Sequence, residues 1–122
     1  RLNYLRSHFE SLRPRIAAGD HSDVGDLLHE EIFAACNNRR LEQLISIYQG
    51  QIQWLQGLTQ SMPDRLARAY REHESVLSAL ESRDPAWAES AMRAHIRATL
   101  DDLVAALELS EESKRPRRQN GR

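Results

Sequence analysis

Cysteine is nearly absent from this chain of 122 residues, since Cys36 is the only one. A single cysteine excludes an internal disulfide and is compatible with a reducing compartment, so we expect a cytoplasmic protein. Long apolar runs are also lacking: none approaches the roughly 20 residues that span a bilayer, and no signal peptide is visible at the start. These absences argue against disulfide-rich secreted proteins and membrane proteins, and they predict no membrane partner.

Strand signals are lacking as well. β-branched residues are scarce, and no segment shows the sustained alternation that is typical of a strand. Apolar residues instead recur every three or four positions through most of the chain. We therefore predict an all-α fold, an antiparallel bundle of about five to six helices with short connections.

Residues that cap or interrupt helices predict the boundaries. Pro14 is expected to kink or shorten the first helix, because proline lacks the N–H donor. The other predicted boundaries are Asn37-Asn38 between the second and third helices, Gly57 near the end of the third, Pro63 in the first turn of the fourth, and Asp84-Pro85 at the start of the last. The last helix is expected to reach about Glu111. Trp54 and Trp87 are expected in the core, with an interface as the alternative.

Charge is unevenly distributed along the chain. Residues 1–112 carry twelve Lys and Arg against eighteen Asp and Glu, whereas residues 113–122 carry five basic residues and no acid. A mildly acidic surface does not favour nucleic-acid binding. We predict one helical domain over residues 1–112 and a basic, disordered tail over 113–122, with nucleic-acid contact as the alternative role of the tail.

Three histidines, His29, His73 and His95, each fall on the predicted apolar face of a different helix. A buried imidazole without a partner costs free energy, so each needs a hydrogen bond or a metal ion. Neutral imidazole is the commonest metal ligand in proteins, and helical bundles build metal sites from side chains on facing helices. The spacings of 44 and 22 residues match no generic metal motif, so three hydrogen-bonded core histidines are the alternative.

The sequence around these histidines resembles the FCD domain, the effector-binding C-terminal domain of FadR-type GntR transcription regulators. Three motifs carry the resemblance, in the order that the family shows: residues 28–38 around His29, residues 72–80 around His73, and residues 84–96 around His95. The step of 22 residues from His73 to His95 is also that of the family. The likeness spans roughly residues 2–107.

The resemblance implies a divalent transition metal, Zn, Ni or Mn, held by one aspartate and the three histidines named above. The family aspartate lies four residues before the first histidine, where this sequence has Gly25. Glycine has no side chain that could bind a metal, so Asp26 is the candidate fourth ligand and Asp23 a weaker one. A small organic acid is expected to bind at or near the metal.

The implied protein is a regulator rather than an enzyme. Its winged helix-turn-helix, which would bind DNA, and the first helix of the effector domain would precede Arg1, and the regulator would be a homodimer. Arg68, Arg93 and Arg97 are the candidate partners of the effector carboxylate. Two alternatives stay open: a small helical metalloenzyme that uses the three histidines, and a metal-free helical dimerisation module.

Overall fold

The computed structural model describes residues 1–18, 26–62 and 64–115, and only the backbone of Asp26. These residues form five helices and no strand, so the predicted all-α bundle is confirmed. The helices are α1 Leu2–Ala17, α2 Asp26–Ala35, α3 Arg39–Thr59, α4 Arg65–Glu81 and α5 Pro85–Lys114. None of the helices in this described part combines the length and the apolar character that crossing a bilayer requires.

Two helices begin at the capping residues that the sequence indicates. The Asn38 side-chain oxygen accepts a hydrogen bond from the Leu41 backbone N–H at 3.1 Å, which starts α3. The Asp84 carboxylate accepts one from the Trp87 backbone N–H at 3.0 Å, and Pro85 occupies the first turn of α5. Each cap satisfies one of the N–H groups that a helix start leaves without an intrahelical partner.

Some helix ends differ from the predicted ones. Pro14 lies inside α1 and does not shorten it, and the Ala18 N–H still donates to the Pro14 carbonyl at 3.1 Å. Gly57 likewise lies inside α3, which continues beyond it. Proline removes one donor and glycine costs a helix about 1 kcal/mol, so neither alone ends a long helix. The role predicted for Pro63 lies outside the described residues.

The end of α4 is a Schellman motif without a glycine. The Arg83 N–H donates to the Leu80 carbonyl at 3.1 Å, and the Asp84 N–H donates to the Ala79 carbonyl at 3.2 Å. Arg83 has a φ of 54°, in the left-handed region that glycine adopts most easily. The position of this helix end therefore has little signal in the sequence.

The core lies between α1, α2 and α4. Its buried side chains are Leu5, Phe9 and Leu12 of α1, Leu28 of α2, and Tyr70, Val76 and Leu77 of α4. The Tyr70 hydroxyl donates to the Phe9 carbonyl at 2.9 Å, which satisfies the polar end of a buried ring. Because α1 and α5 both pack against α4, α4 is the central helix.

In contrast, α3 buries little of its surface. Thr59 is its one buried residue. Trp54 is 65% exposed and Trp87, in the first turn of α5, is 42% exposed, so the prediction that both lie in the core is wrong. Apolar spacing shows which residues share a face of a helix, but it does not show what covers that face.

Candidate metal centre

His29, His73 and His95 come together from three different helices. His29 lies on α2 next to the core residue Leu28, His73 lies in the middle of α4, and His95 lies on α5. His73 and His95 are buried, and His29 is half-buried. The Nε2 atoms of His29 and His73 are 3.1 Å apart, and those of His73 and His95 are 2.9 Å apart. The three inward positions that the sequence predicts thus converge at one point.

The three imidazoles cannot all be joined by hydrogen bonds. Glu72 Oε2 lies 2.7 Å from His95 Nδ1, and a carboxylate only accepts. His95 therefore carries a hydrogen on Nδ1 and, in the neutral ring, a bare lone pair on Nε2. His73 Nε2 has one in-plane position, so it either donates to His95 or accepts from His29. With neutral rings, one of the two close nitrogen contacts lacks a normal hydrogen bond.

Burial keeps two of these rings neutral. Desolvation, with a smaller contribution from the neighbouring His95, lowers the pKa of His29 to about 4. Desolvation also lowers the pKa of His73 to about 2, with smaller contributions from His95, His29 and Arg65. Neutral imidazole is the form that binds metal ions. At neutral pH both rings therefore have a lone pair available.

Two of the separations between the histidine nitrogen atoms suit one shared ion. Histidine nitrogens bind zinc at about 2.0–2.1 Å, so two of them at angles of about 90–110° are about 2.9–3.4 Å apart. The observed 2.9 and 3.1 Å lie in this range, and all three ligand atoms lie within 4.8 Å of one another. An ion between them would use all three lone pairs and remove the unsatisfied contact.

Glu72 belongs to a polar network that the apolar pattern does not reveal. The Arg65 side chain lies 3.5 Å from Glu72 Oε2 and 3.2 Å from Asp102 Oδ2, and it donates to the Thr99 hydroxyl at 2.8 Å. The sequence does contain one signal. Arg65 and Glu72 on α4, and His95 and Asp102 on α5, are each seven residues apart, which places each pair on one face of its helix.

The remaining predicted site residues do not join the histidine cluster in the described part of the chain. Arg68 is half-exposed and donates to Asp102 Oδ1 at 3.1 Å. Arg93 and Arg97 are exposed, and each pairs with an acid one helical turn away. The Asp26 side chain lies outside the described residues, as does Gly25.

A groove of about 460 Å³ runs between α4 and α5 beside the Glu72–His95 pair. Its size suits a small organic ligand. The lining residues are Arg71, Glu72 and Ser75 of α4 and Ala91, Ala94, His95 and Ala98 of α5. Arg71 lines this groove, although the sequence pattern did not single it out.

The chain matches the model of a known protein family. The family model of the FCD domain matches residues 1–98, which is most of the chain and includes all three histidines and Glu72. No curated protein and no solved structure gives a significant match.

Proposed function

The chain belongs to the FCD family, the effector-binding domains of GntR-type transcription regulators, and from this we propose that it senses a small organic acid through a bound divalent metal. His29, His73 and His95 would hold the ion, with Zn, Ni or Mn as candidates. Such an ion supplies a positive charge and open coordination positions for an anionic ligand.

The convergence of three Nε2 atoms supports the metal site most strongly. Two neutral imidazoles 2.9 or 3.1 Å apart can share one hydrogen, but three of them with His95 already bonded to Glu72 cannot satisfy both contacts. Buried polar atoms in proteins are rarely left without partners. A divalent ion resolves the conflict through lone pairs alone, which a set of merely packed core histidines does not.

A carboxylate effector follows from the charge of the site. The three histidine ligands are neutral, so they leave the charge of the ion uncompensated. Glu72 and Asp102 are engaged with Arg65. We propose Asp26 as a further ligand and Arg68 as a carboxylate partner, because Arg68 lies beside this network. Arg93 and Arg97 stay predictions, and each would have to leave its present ion pair.

We propose a regulatory rather than a catalytic role for this site. Glu72 contacts His95 at Nδ1, on the opposite side of the ring from Nε2, so it does not face the ion as a general base would. Effector binding would instead shift the population of domain arrangements and thereby change how DNA-binding modules of a cytoplasmic regulator are held. Those modules would be the partner that contacts DNA.

We also propose a homodimer, because two neighbouring helices expose a large apolar surface. This α3–α5 apolar face consists of Leu44, Ile47, Tyr48, Ile52 and Trp54 of α3 and Ile96, Leu100, Val104 and Leu107 of α5. Each of these side chains is 43–73% exposed. Monomeric proteins rarely expose contiguous apolar patches of more than a few hundred Å², and two-fold dimers are the commonest assembly.

Metal analysis tests the central proposal. Elemental analysis after dialysis against Zn²⁺, Ni²⁺ or Mn²⁺ should find one ion per chain, and His73→Ala and His95→Ala should abolish it. His8→Ala is the matched control, since His8 lies on α1 outside the cluster, and it should bind the ion as the parent chain does. A parent chain that holds no ion under these conditions would refute the metal site.

The effector is tested with a panel of small hydroxy acids. Each acid is compared with the neutral analogue in which an alcohol replaces the carboxylate. An acid from the panel should raise the melting temperature of the metal-loaded protein, while its alcohol has no effect. An equal shift in metal-free protein would contradict binding at the ion.

Sedimentation velocity tests the dimer. The parent chain should sediment as a dimer and Ile47→Glu as a monomer. Tyr4→Glu is the matched control, because Tyr4 is a similarly exposed apolar residue on α1, and it should leave the dimer intact. A monomeric parent chain at micromolar concentration would contradict the proposal.

A further inference from the structure

We propose that Glu72, itself held in place by Arg65, is a positioning residue that keeps the hydrogen of His95 on Nδ1 and so directs a bare Nε2 towards the ion. This inference rests on the proposed function, because it assigns a role in the same metal site. It adds that the site is arranged before the ion arrives, by groups that do not touch the ion.

The two nitrogens of the His95 ring make different contacts. His95 Nδ1 lies 2.7 Å from Glu72 Oε2, and His95 Nε2 lies 2.9 Å from His73 Nε2. A carboxylate has no hydrogen to donate, so the hydrogen of this contact belongs to Nδ1. In a neutral ring the opposite nitrogen is then bare. Carboxylates that bind metal-ligating histidines in this way fix both the tautomer and the ring orientation.

Arg65 restricts where Glu72 can go. The Arg65 residue is 5% exposed and lies between two carboxylates, 3.5 Å from Glu72 Oε2 and 3.2 Å from Asp102 Oδ2. A buried guanidinium without partners is very unfavourable. Each acid therefore stays beside Arg65, and Glu72 stays within reach of His95.

The network also closes on the backbone of His95. Arg65 donates to the Thr99 hydroxyl at 2.8 Å, and that hydroxyl donates to the His95 carbonyl at 2.9 Å. The His95 side chain thus contacts Glu72 directly, and its carbonyl is linked through Thr99 to Arg65, which lies two helical turns from Glu72 on α4. The ring is held at Nδ1 and the turn that carries it is held at its carbonyl.

His73 lacks the supporting hydrogen bond that His95 has. Its Nδ1 is buried and makes no hydrogen bond within the described part of the chain. Nothing there fixes which of its nitrogens carries the hydrogen. The contrast identifies His95 as the prearranged ligand of the pair, and the Glu72 carboxylate is the group that distinguishes the two rings.

The Zn²⁺ affinity of a Glu72 variant measures how much this positioning contributes to metal binding. Competition with a chromogenic chelator for Zn²⁺ should give a dissociation constant about 10- to 100-fold higher for Glu72→Leu, which removes the acceptor, than for the parent chain. Glu74→Leu is the matched control. Glu74 is on the same helix, on the other side of His73, and pairs with Arg6 and Arg13 rather than with a histidine. Its Zn²⁺ affinity should equal that of the parent chain.

A second measurement needs no metal. Long-range ¹H–¹⁵N correlation spectra of the metal-free parent chain at pH 7.5 should show His95 with its hydrogen on Nδ1. In Glu72→Leu, which retains no acceptor, the population of this tautomer should fall. Circular dichroism confirms that the variants are folded.

The outcomes separate the two proposals. If the parent chain binds no Zn²⁺ but His95 shows the Nδ1 hydrogen and loses it in Glu72→Leu, the metal site fails and the positioning role stands. If His95 in the parent chain carries its hydrogen on Nε2, the positioning role is overturned. Parent-like Zn²⁺ affinity in a folded Glu72→Leu also overturns it.

Discussion

Helices α3 and α4 have similar apolar patterns and very different surroundings. Over its 17 residues α4 buries seven, including Ala69, His73 and Leu77, whereas α3 buries only Thr59 over 21 residues. Both helices carry apolar residues at helical spacing. The difference teaches that such spacing identifies a face that needs a partner, and that the partner of α4 lies inside this chain.

Helix α5 has one side that is covered, as α4 is, and another that is exposed, as α3 is. One side of it faces α4 and carries the buried His95 and Asp102, while another side carries the exposed Ile96 and Leu100. The same helix thus contributes to the candidate metal centre and to the α3–α5 apolar face. Four predictions test this contrast between a covered and an uncovered side.

The largest effect is expected on the covered side, for Leu77→Ala. Leu77 is fully buried in the core cluster, so truncation leaves a cavity and should lower the free energy of unfolding by about 2–5 kcal/mol. Urea unfolding followed by circular dichroism measures it. A loss below about 1 kcal/mol would mean that the α4 side is not the tightly packed core.

Acid should destabilise the same side when no metal is present. The pKa values of His29 and His73 are lowered by folding from 6.5 to about 4 and about 2. Protons therefore bind the unfolded chain first, and stability falls as the pH drops below about 6.5. Between pH 7.5 and 5.0 the loss should be on the order of 1–2 kcal/mol for each histidine.

Urea unfolding in the presence of a chelator at these two pH values measures the loss. The double variant His29→Gln, His73→Gln is the control. It lacks both buried rings, so its stability should depend less steeply on pH. An identical pH dependence in parent and variant would contradict the assignment of buried neutral rings.

A smaller gain is expected at the end of α4 for Arg83→Gly. Arg83 has a φ of 54°, which glycine adopts without the steric cost that a side chain brings. The substitution should stabilise the fold by about 0.5–1 kcal/mol. Thermal unfolding measures the gain, and a destabilised variant would mean that the Arg83 side chain contributes more than its backbone strain costs.

The smallest effect is expected on the uncovered side. Ile47 is 73% exposed on α3, so Ile47→Ala should change the free energy of unfolding by no more than about 0.5 kcal/mol at a dilution where the chain is monomeric. Urea unfolding measures it beside Leu77→Ala. Comparable losses in the two variants would show that α3 is covered within one chain, and the contrast between the helices would be lost.

Local signals predicted much of this fold. The Asn38 and Asp84 caps lie where their side-chain chemistry requires, and helical phasing places the three histidines inward. Those features depend on residues within a few positions of one another. The exposure of Trp54 and the left-handed Arg83 were not predictable in this way, because the first depends on what packs against α3 and the second on a turn that uses no glycine.

The candidate site also contains residues that local sequence signals predicted and residues that only the packing of the helices reveals. The histidines were found because each interrupts an apolar face. Glu72 and Arg65 were missed because a charged residue on a helix usually faces solvent, and only the packing of α4 against α5 shows that these two do not. The spacing of seven residues places Arg65 and Glu72 on one face of α4, but without the opposite helix it does not indicate what that face contacts.

The short helix α2 has a consequence for local stability. It has ten residues, fewer than an isolated helix needs to persist in water, and among its described side chains only Leu28 is fully buried. Hydrogen exchange should therefore detect α2 opening well before the rest of the bundle unfolds. Since α2 supplies His29, an ion held by all three histidines would slow exchange in α2 more than elsewhere, and would make this segment the part of the domain whose order reports whether the site is loaded.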